Sequence, residues 1–200
     1  MSYRDFKFKD LEDKFGVKQG RKRLFSADVP SVEPSDLLLG ILKRIEGKLF
    51  TTEKALSENI VSPILQEIWF KNKDKIELFS GENLEAEKSK GLNGECDFII
   101  AKAPQAIELT APIINICEAK KGEVDNARSL SQTAAQLIGA KIFNQKNNFP
   151  TDFLYGVCTS GREWLFLKLE NGTIYIDTHR YFQTDLPQLL GILQYIIDEY

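Results

Sequence analysis

Between Glu95 and Lys121 the chain places charged residues where apolar strands should be. Asp97 sits inside the run Cys96-Asp97-Phe98-Ile99-Ile100, and Ile113-Ile114-Asn115-Ile116-Cys117 ends in Glu118-Ala119-Lys120-Lys121. Desolvating a charge costs several kcal/mol unless it is paired or holds a metal. Strand side chains alternate with period two, so Glu118 and Lys120 share a face while Cys117, Ala119 and Lys121 point away. Cys96 likewise alternates away from Asp97. Pairing of the two strands would bring Asp97 beside Glu118. Two hard oxygen donors at one place suit Mg²⁺, with Mn²⁺ able to substitute, water and a substrate phosphate completing the shell. A partly buried Lys120 close by would offset phosphate charge or help deprotonate a water.

A helix is predicted directly after this strand, over Val124 to Asn144. Leu130, Ala134, Leu137, Ile138 and Ile142 recur at helical spacing, Asp125 is the expected N-cap, and Pro150 follows the end. Arg128, Gln132 and Gln136 are four apart and form a polar stripe beside that apolar face. Upstream, Ala55 to Lys71 reads as an amphipathic helix in which Pro63 marks a kink or the true start.

On these residues the chain resembles the PD-(D/E)XK nuclease superfamily, the fold of many restriction endonucleases and recombination nucleases. Asp97 matches the first acidic position and Glu118-Ala119-Lys120 matches the (D/E)XK element, with Cys96 where the family's proline would stand. The resemblance spans about residues 55 to 160. It implies a metal-dependent nuclease, a hydrolase of phosphodiester bonds, most often in DNA. Asp97, Glu118 and the backbone carbonyl of Ala119 would hold the Mg²⁺, and Lys120 would orient or activate the attacking water. Related families carry a glutamine on the following helix, which implies Gln136 or else Gln132, with Gln136 preferred because Ala135 and Gly139 beside it are small. A glutamate from the helix before the sheet implies Glu67 as a further metal contact, with Glu58 second. Lys121, Arg128 and Gln132 are the expected nucleic-acid contacts.

The positioning elements follow from periodicity and turn signals. Ser35 should cap a helix carrying Leu37, Leu38, Ile41, Leu42 and Ile45. Strands are expected over Ile76 to Leu84, Glu95 to Ala101, Ile113 to Lys120 and Phe153 to Thr159. Trp164 to Leu169 and Thr173 to Asp177 flank Glu170-Asn171-Gly172, a hairpin signal, and a last helix covers Leu186 to Ile197. The expected fold is therefore α/β, a mixed central sheet flanked by helices, with an added β-hairpin and terminal helices; the resemblance implies that its αβββαβ core is restriction-endonuclease-like. It reads as one domain, residues 1–54 an N-terminal extension and helix, 55–160 the nuclease-like core, and 161–200 the hairpin and C-terminal helix. The hairpin is also similar to one in N-terminal nuclease domains of type I restriction subunits. Residues 1 to 34 are charged and poorly periodic, ending at Pro30-Ser31-Val32-Glu33-Pro34.

Composition narrows the function classes. With 42% apolar and 28% charged residues the chain can build a core and a soluble surface. It has no apolar run of bilayer length and no apolar leader, so it is expected in the cytoplasm with no membrane partner. Cys96, Cys117 and Cys158 form no CxxC pair and read as small core hydrophobes, and a lone His179 cannot support a histidine-rich metal site or a recognisable triad. The net charge of −3 lacks the basic excess of tight DNA binders. Binding would then rest on local clusters such as Lys18, Arg21, Lys22 and Arg23, or Lys71, Lys73 and Lys75. Three readings stand: an active nuclease; a catalytically inactive nuclease-like module that binds nucleic acid or scaffolds a larger restriction or repair complex; and an ordinary ion-pair group at a sheet edge. The apolar C-terminal helix also suits a homodimer.

Overall fold

A computed structural model describes residues 1–200. Eight strands make one mixed sheet in the order β1-β7-β6-β5-β4-β3-β2: β1 Lys18–Lys22, β2 Glu77–Asn83, β3 Glu95–Ala101, β4 Ile113–Ala119, β5 Phe153–Thr159, β6 Glu163–Glu170 and β7 Thr173–Asp177, while the short β8, Tyr181–Phe182, pairs with β6. Only β4–β5 and β1–β7 are parallel. Parallel neighbours need a crossover, and α5, Ala127–Lys146, supplies it between β4 and β5. Asn171 and Gly172 both take positive φ (50° and 72°), the backbone that a two-residue turn between twisted strands requires.

Each face of the sheet buries its own core. On one side β3, β4 and β5 pack against α5 and α1 (Phe8–Phe15), with Tyr3, Phe6 and Leu11 filling the space between. On the other lie α2 (Asp36–Arg44), a helical run formed by α3 (Glu53–Leu56), a π turn (Ser57–Val61) and α4 (Ser62–Lys71), and finally α6 (Leu186–Asp198). Pro63 sits inside this run, at the start of α4 and directly after the π turn. No helix is long and apolar enough to cross a membrane.

The strands from β2 to β5 match the expected segments, β3 and β5 to the residue. Ser35 caps α2 as expected, its hydroxyl accepting the Leu38 amide at 3.2 Å. Residues 1 to 34, within the expected N-terminal extension, pack against both cores. They supply α1, edge strand β1 and several fully buried side chains. The N-cap of α5 is Asn126, which accepts the Ser129 amide at 2.9 Å; Asp125 instead pairs with Arg180.

One polar clamp fixes α5 on the sheet. Buried Asn144 donates to the carbonyl and accepts from the amide of Ile113, both at 2.8 Å. That seats the C-terminal end of α5 on the first residue of β4. The N-terminal half of the helix then lies over the end of β4, where the charged residues are.

Candidate functional site

The β3–β4 register pairs Phe98 with Cys117, and the next step along the ladder sets Asp97 opposite Glu118. Asp97 is anchored by its Oδ2, which accepts the Ala119 amide at 2.7 Å. Its carboxyl is raised to about 6, first because it is buried and then because Glu118 repels it; the Ala119 amide, Lys120 and Arg4 oppose the rise.

Glu118 is wholly buried on the α5 side of central strand β4. Its Oε1 accepts the Lys120 ammonium at 2.7 Å and also the Gln132 amide, and its Oε2 accepts the Gln136 amide at 2.8 Å. Such a carboxylate is tolerable only because these donors replace its lost water. Both glutamines expected to face the site do so. Gln136 has no special place over Gln132, and the small size of Gly139 serves a different purpose: the Tyr3 ring lies against it. Lys120 is held at its main chain as well, its amide donating to the Thr159 carbonyl at 2.7 Å.

Two clefts open beside this cluster and share Glu53. The first, about 340 Å³, is lined by Asp97 and Ala119 with Glu53, Glu58 and Glu95, and Lys54 at its side. The second, about 290 Å³, is lined by Lys120, Lys121, Arg128 and Gln132 with Arg4, Asn126 and Ser129. Lys121 is exposed and gives its amide to Glu53 at 3.2 Å. Arg128 is exposed on the first turn of α5.

Glu67 is the expected site residue that lies elsewhere. Its carboxylate accepts the Ser35 amide at 3.0 Å and hydroxyl at 2.7 Å and pairs with Lys71 at 3.3 Å. It ties α4 to the start of α2, where both its oxygens have partners. The π turn instead brings Glu58, with Glu53 before it, to the Asp97 cleft. Glu53 was signalled only by Thr52, whose hydroxyl caps that short helix by accepting the Ala55 amide at 3.1 Å.

Two further expectations shift. Cys96 does not turn away from the cluster. Gly81, at φ +69° in the neighbouring strand, disturbs the pleat opposite Asp97, and Cys96 joins the core on the α5 side, where burial and then Glu118 push its thiol well up. Cys117 does point to the opposite core. The basic clusters also lie away from the site: Lys18 to Lys22 form edge strand β1, Lys22 paired with Glu170, while Lys71 pairs with Glu67 and Lys75 with Asp198. The cation that sequence reasoning missed is Arg4. Its only signal was Tyr3-x-x-Phe6, an aromatic pair suited to burial beside a helix.

No group of three carboxylate, histidine or cysteine side chains converges into a preformed metal cage. The donor chemistry nonetheless fits a hard divalent ion. Asp97 has one oxygen free of hydrogen bonds beside a cleft lined by further carboxylates, and Mg²⁺ is commonly held by one or two carboxylates with water and phosphate. No family model matches the chain, and no curated protein matches it at a significant level.

Proposed function

We propose that this protein is a metal-dependent nuclease that hydrolyses phosphodiester bonds, with DNA as its foremost substrate and the cytoplasm as its compartment. The observation that carries this reading is the convergence of Asp97, Glu118 and the Lys120 ammonium, 2.7 Å from Glu118, at the junction of an acidic and a basic cleft. Structural ion pairs do not need two carboxylates set opposite each other beside an opening. That arrangement suits a site that takes up a cation.

Asp97, Glu118 and the Ala119 carbonyl would hold a Mg²⁺ or Mn²⁺ ion, which supplies Lewis-acid activation of water and of the phosphate oxygen. The Ala119 amide aims the Asp97 carboxylate, and Gln132 and Gln136 hold Glu118 in one rotamer. Lys120, directly after β4 and held by its amide on Thr159, would place a positive charge where phosphate charge grows. Neither cleft is lined by an aromatic ring, so the residues present would contact sugar and phosphate rather than stack bases.

One observation favours the second reading, a nuclease-like module that binds nucleic acid without cutting it. Glu118 is already satisfied by three N–H donors, so coordinating an ion through Oε1 requires Lys120 to yield. Cleavage assays separate the two. Plasmid, linear duplex and single-stranded DNA are incubated with Mg²⁺ or Mn²⁺, beside Asp97→Ala and Lys120→Ala. Metal-dependent cutting lost in both variants supports the nuclease. Binding without cutting under either metal supports the inactive module, and neither binding nor cutting removes both.

A further inference from the structure

The basic cleft holds cations that have no structural duty. Lys120 is paired with Glu118, but Arg4, Lys121 and Arg128 have no carboxylate within ion-pair distance. Arg128 does lie near enough to Asp5 to help hold its carboxyl down, but that carboxylate is occupied by the Ser2 amide at 2.7 Å. Glu53 is the one acidic residue on the wall. Three unpaired cations against one carboxylate is a marked local excess in a chain of net charge −3.

A second, independent feature points the same way. Ser129 is only 4% exposed and lines the cleft, yet its side-chain hydroxyl makes no hydrogen bond within the protein; its main-chain groups are the ones in use, the amide to Asn126 and the carbonyl to Cys158. A nearly buried hydroxyl facing a polar opening is a donor awaiting an acceptor. It lies in the first turn of the 20-residue helix α5, whose dipole favours an anion at that end. No hydrophobic residue lines the cleft.

We infer that Arg4, Lys121, Arg128 and Ser129 form a phosphate-binding subsite, which holds a nucleic-acid phosphate next to the one presented to Asp97 and Lys120. The proposal rests on the nuclease-like reading for its substrate class, but the subsite itself needs no metal. Arg4 is its specific feature: it is delivered by a segment that Tyr3 pins to α5, from the far end of the chain. The phosphate is either an internal phosphodiester or a terminal monophosphate. Both offer the same oxygens to two guanidiniums and an ammonium.

The test is made with EDTA present, so that no turnover intervenes. Inorganic phosphate and a short single-stranded oligonucleotide, with and without a 5′-phosphate, are titrated against the ¹⁵N-labelled full chain. The expected result is perturbation centred on the amides of Lys121, Arg128 and Ser129. Arg4→Ala and Arg128→Ala, both at exposed positions, should each weaken oligonucleotide binding about 5- to 10-fold and lower the salt dependence by about one counterion. Ser129→Ala should weaken phosphate while leaving the thermal midpoint within a degree or two. A 5′-phosphate preference that Arg4→Ala abolishes assigns the subsite to chain ends; equal binding of both oligonucleotides assigns it to internal phosphates. Perturbations scattered over surface lysines such as Lys18 and Lys22, or affinities unchanged in both arginine variants, overturn the proposal. Asp97→Ala separates the two readings: if it binds phosphate normally while the wild type never cuts DNA, the subsite stands and the nuclease falls.

Discussion

The Asp97 carboxylate accepts the main-chain amide of Ala119 at 2.7 Å, across the strand pair where β4 ends. This bond holds a partly buried carboxylate opposite the buried Glu118, so its proton affinity becomes part of the stability of the fold. Burial and Glu118 raise Asp97 from 3.8 to about 6. Between those values the folded state binds more protons than the unfolded chain, so stability falls as pH rises and the contribution is lost above about 6. Asn at this position keeps an oxygen for the Ala119 amide and cannot ionise. Asp97→Asn should therefore melt several degrees above the wild type near about pH 7.5 and converge with it only below the unfolded value, by about pH 3, as followed by circular dichroism. A constant difference across that range would contradict the assignment.

A bound divalent ion reverses this balance by favouring the charged carboxylate. Mg²⁺ or Mn²⁺ should raise the melting temperature at about pH 8, and progressively less as pH falls through about 6, because metal and proton compete for Asp97. Asp97→Asn should abolish the shift at every pH. Equal shifts in both proteins would place the ion elsewhere.

Glu118 has no exposure and three donors directed at it. Glu118→Ala takes away the one acceptor that the Lys120 ammonium and two glutamine amides share at this buried position. Breaking a buried pair of this kind costs about 3–5 kcal/mol, so urea unfolding should show a loss of that order. Gln136→Leu removes a single donor and should cost about 1–3 kcal/mol. Losses the other way round would mean that Glu118 is hydrated in solution.

Gly139 matters through its neighbour. A methyl there would meet the Tyr3 ring at 2.9 Å, and Tyr3 anchors the segment that carries Arg4. Gly139→Ala should cost about 1–3 kcal/mol by overpacking. Trypsin should then cut faster after Arg4 and Lys7, while the helical content stays at the wild-type value. Unaltered cleavage would show that the segment is held by other contacts.

Asn115, in the middle of β4, is 1% exposed, and neither its side-chain oxygen nor its nitrogen has a hydrogen-bond partner. An unpaired buried amide costs about 1–3 kcal/mol by protein mutational measures. Asn115→Val, which removes both polar atoms with a smaller change of volume than Leu would bring, should raise stability by up to about that amount in the same urea experiment. A loss would reveal an internal water bridging the amide.

The strand and helix pattern was legible because it is a local property. The alternation in Glu95 to Ala101 and Ile113 to Ala119 placed Glu118 and Lys120 on one face, and helical spacing put Gln132 and Gln136 one turn apart. The register of β3 on β4, which pairs Phe98 with Cys117, then sets Asp97 opposite Glu118; that register was not fixed by alternation alone. An α/β architecture with a mixed sheet follows from such periodicities, since the connection lengths decide which strands can be parallel.

What the linear chain could not decide was which distant residues share a wall. Glu67 and Glu58 sit on the same helical run and are equally acidic; the π turn and the start of α2 send one to Ser35 and the other to the cleft. Arg4 stands 93 positions before Asp97, a separation read directly from their numbers, and only the docking of Tyr3 on Gly139 brings it near. Cys96 obeyed its neighbour Gly81 rather than ideal alternation. Periodicity is set by each residue's own backbone, whereas the convergence of charges depends on how whole elements pack, and that is a property of the tertiary fold alone.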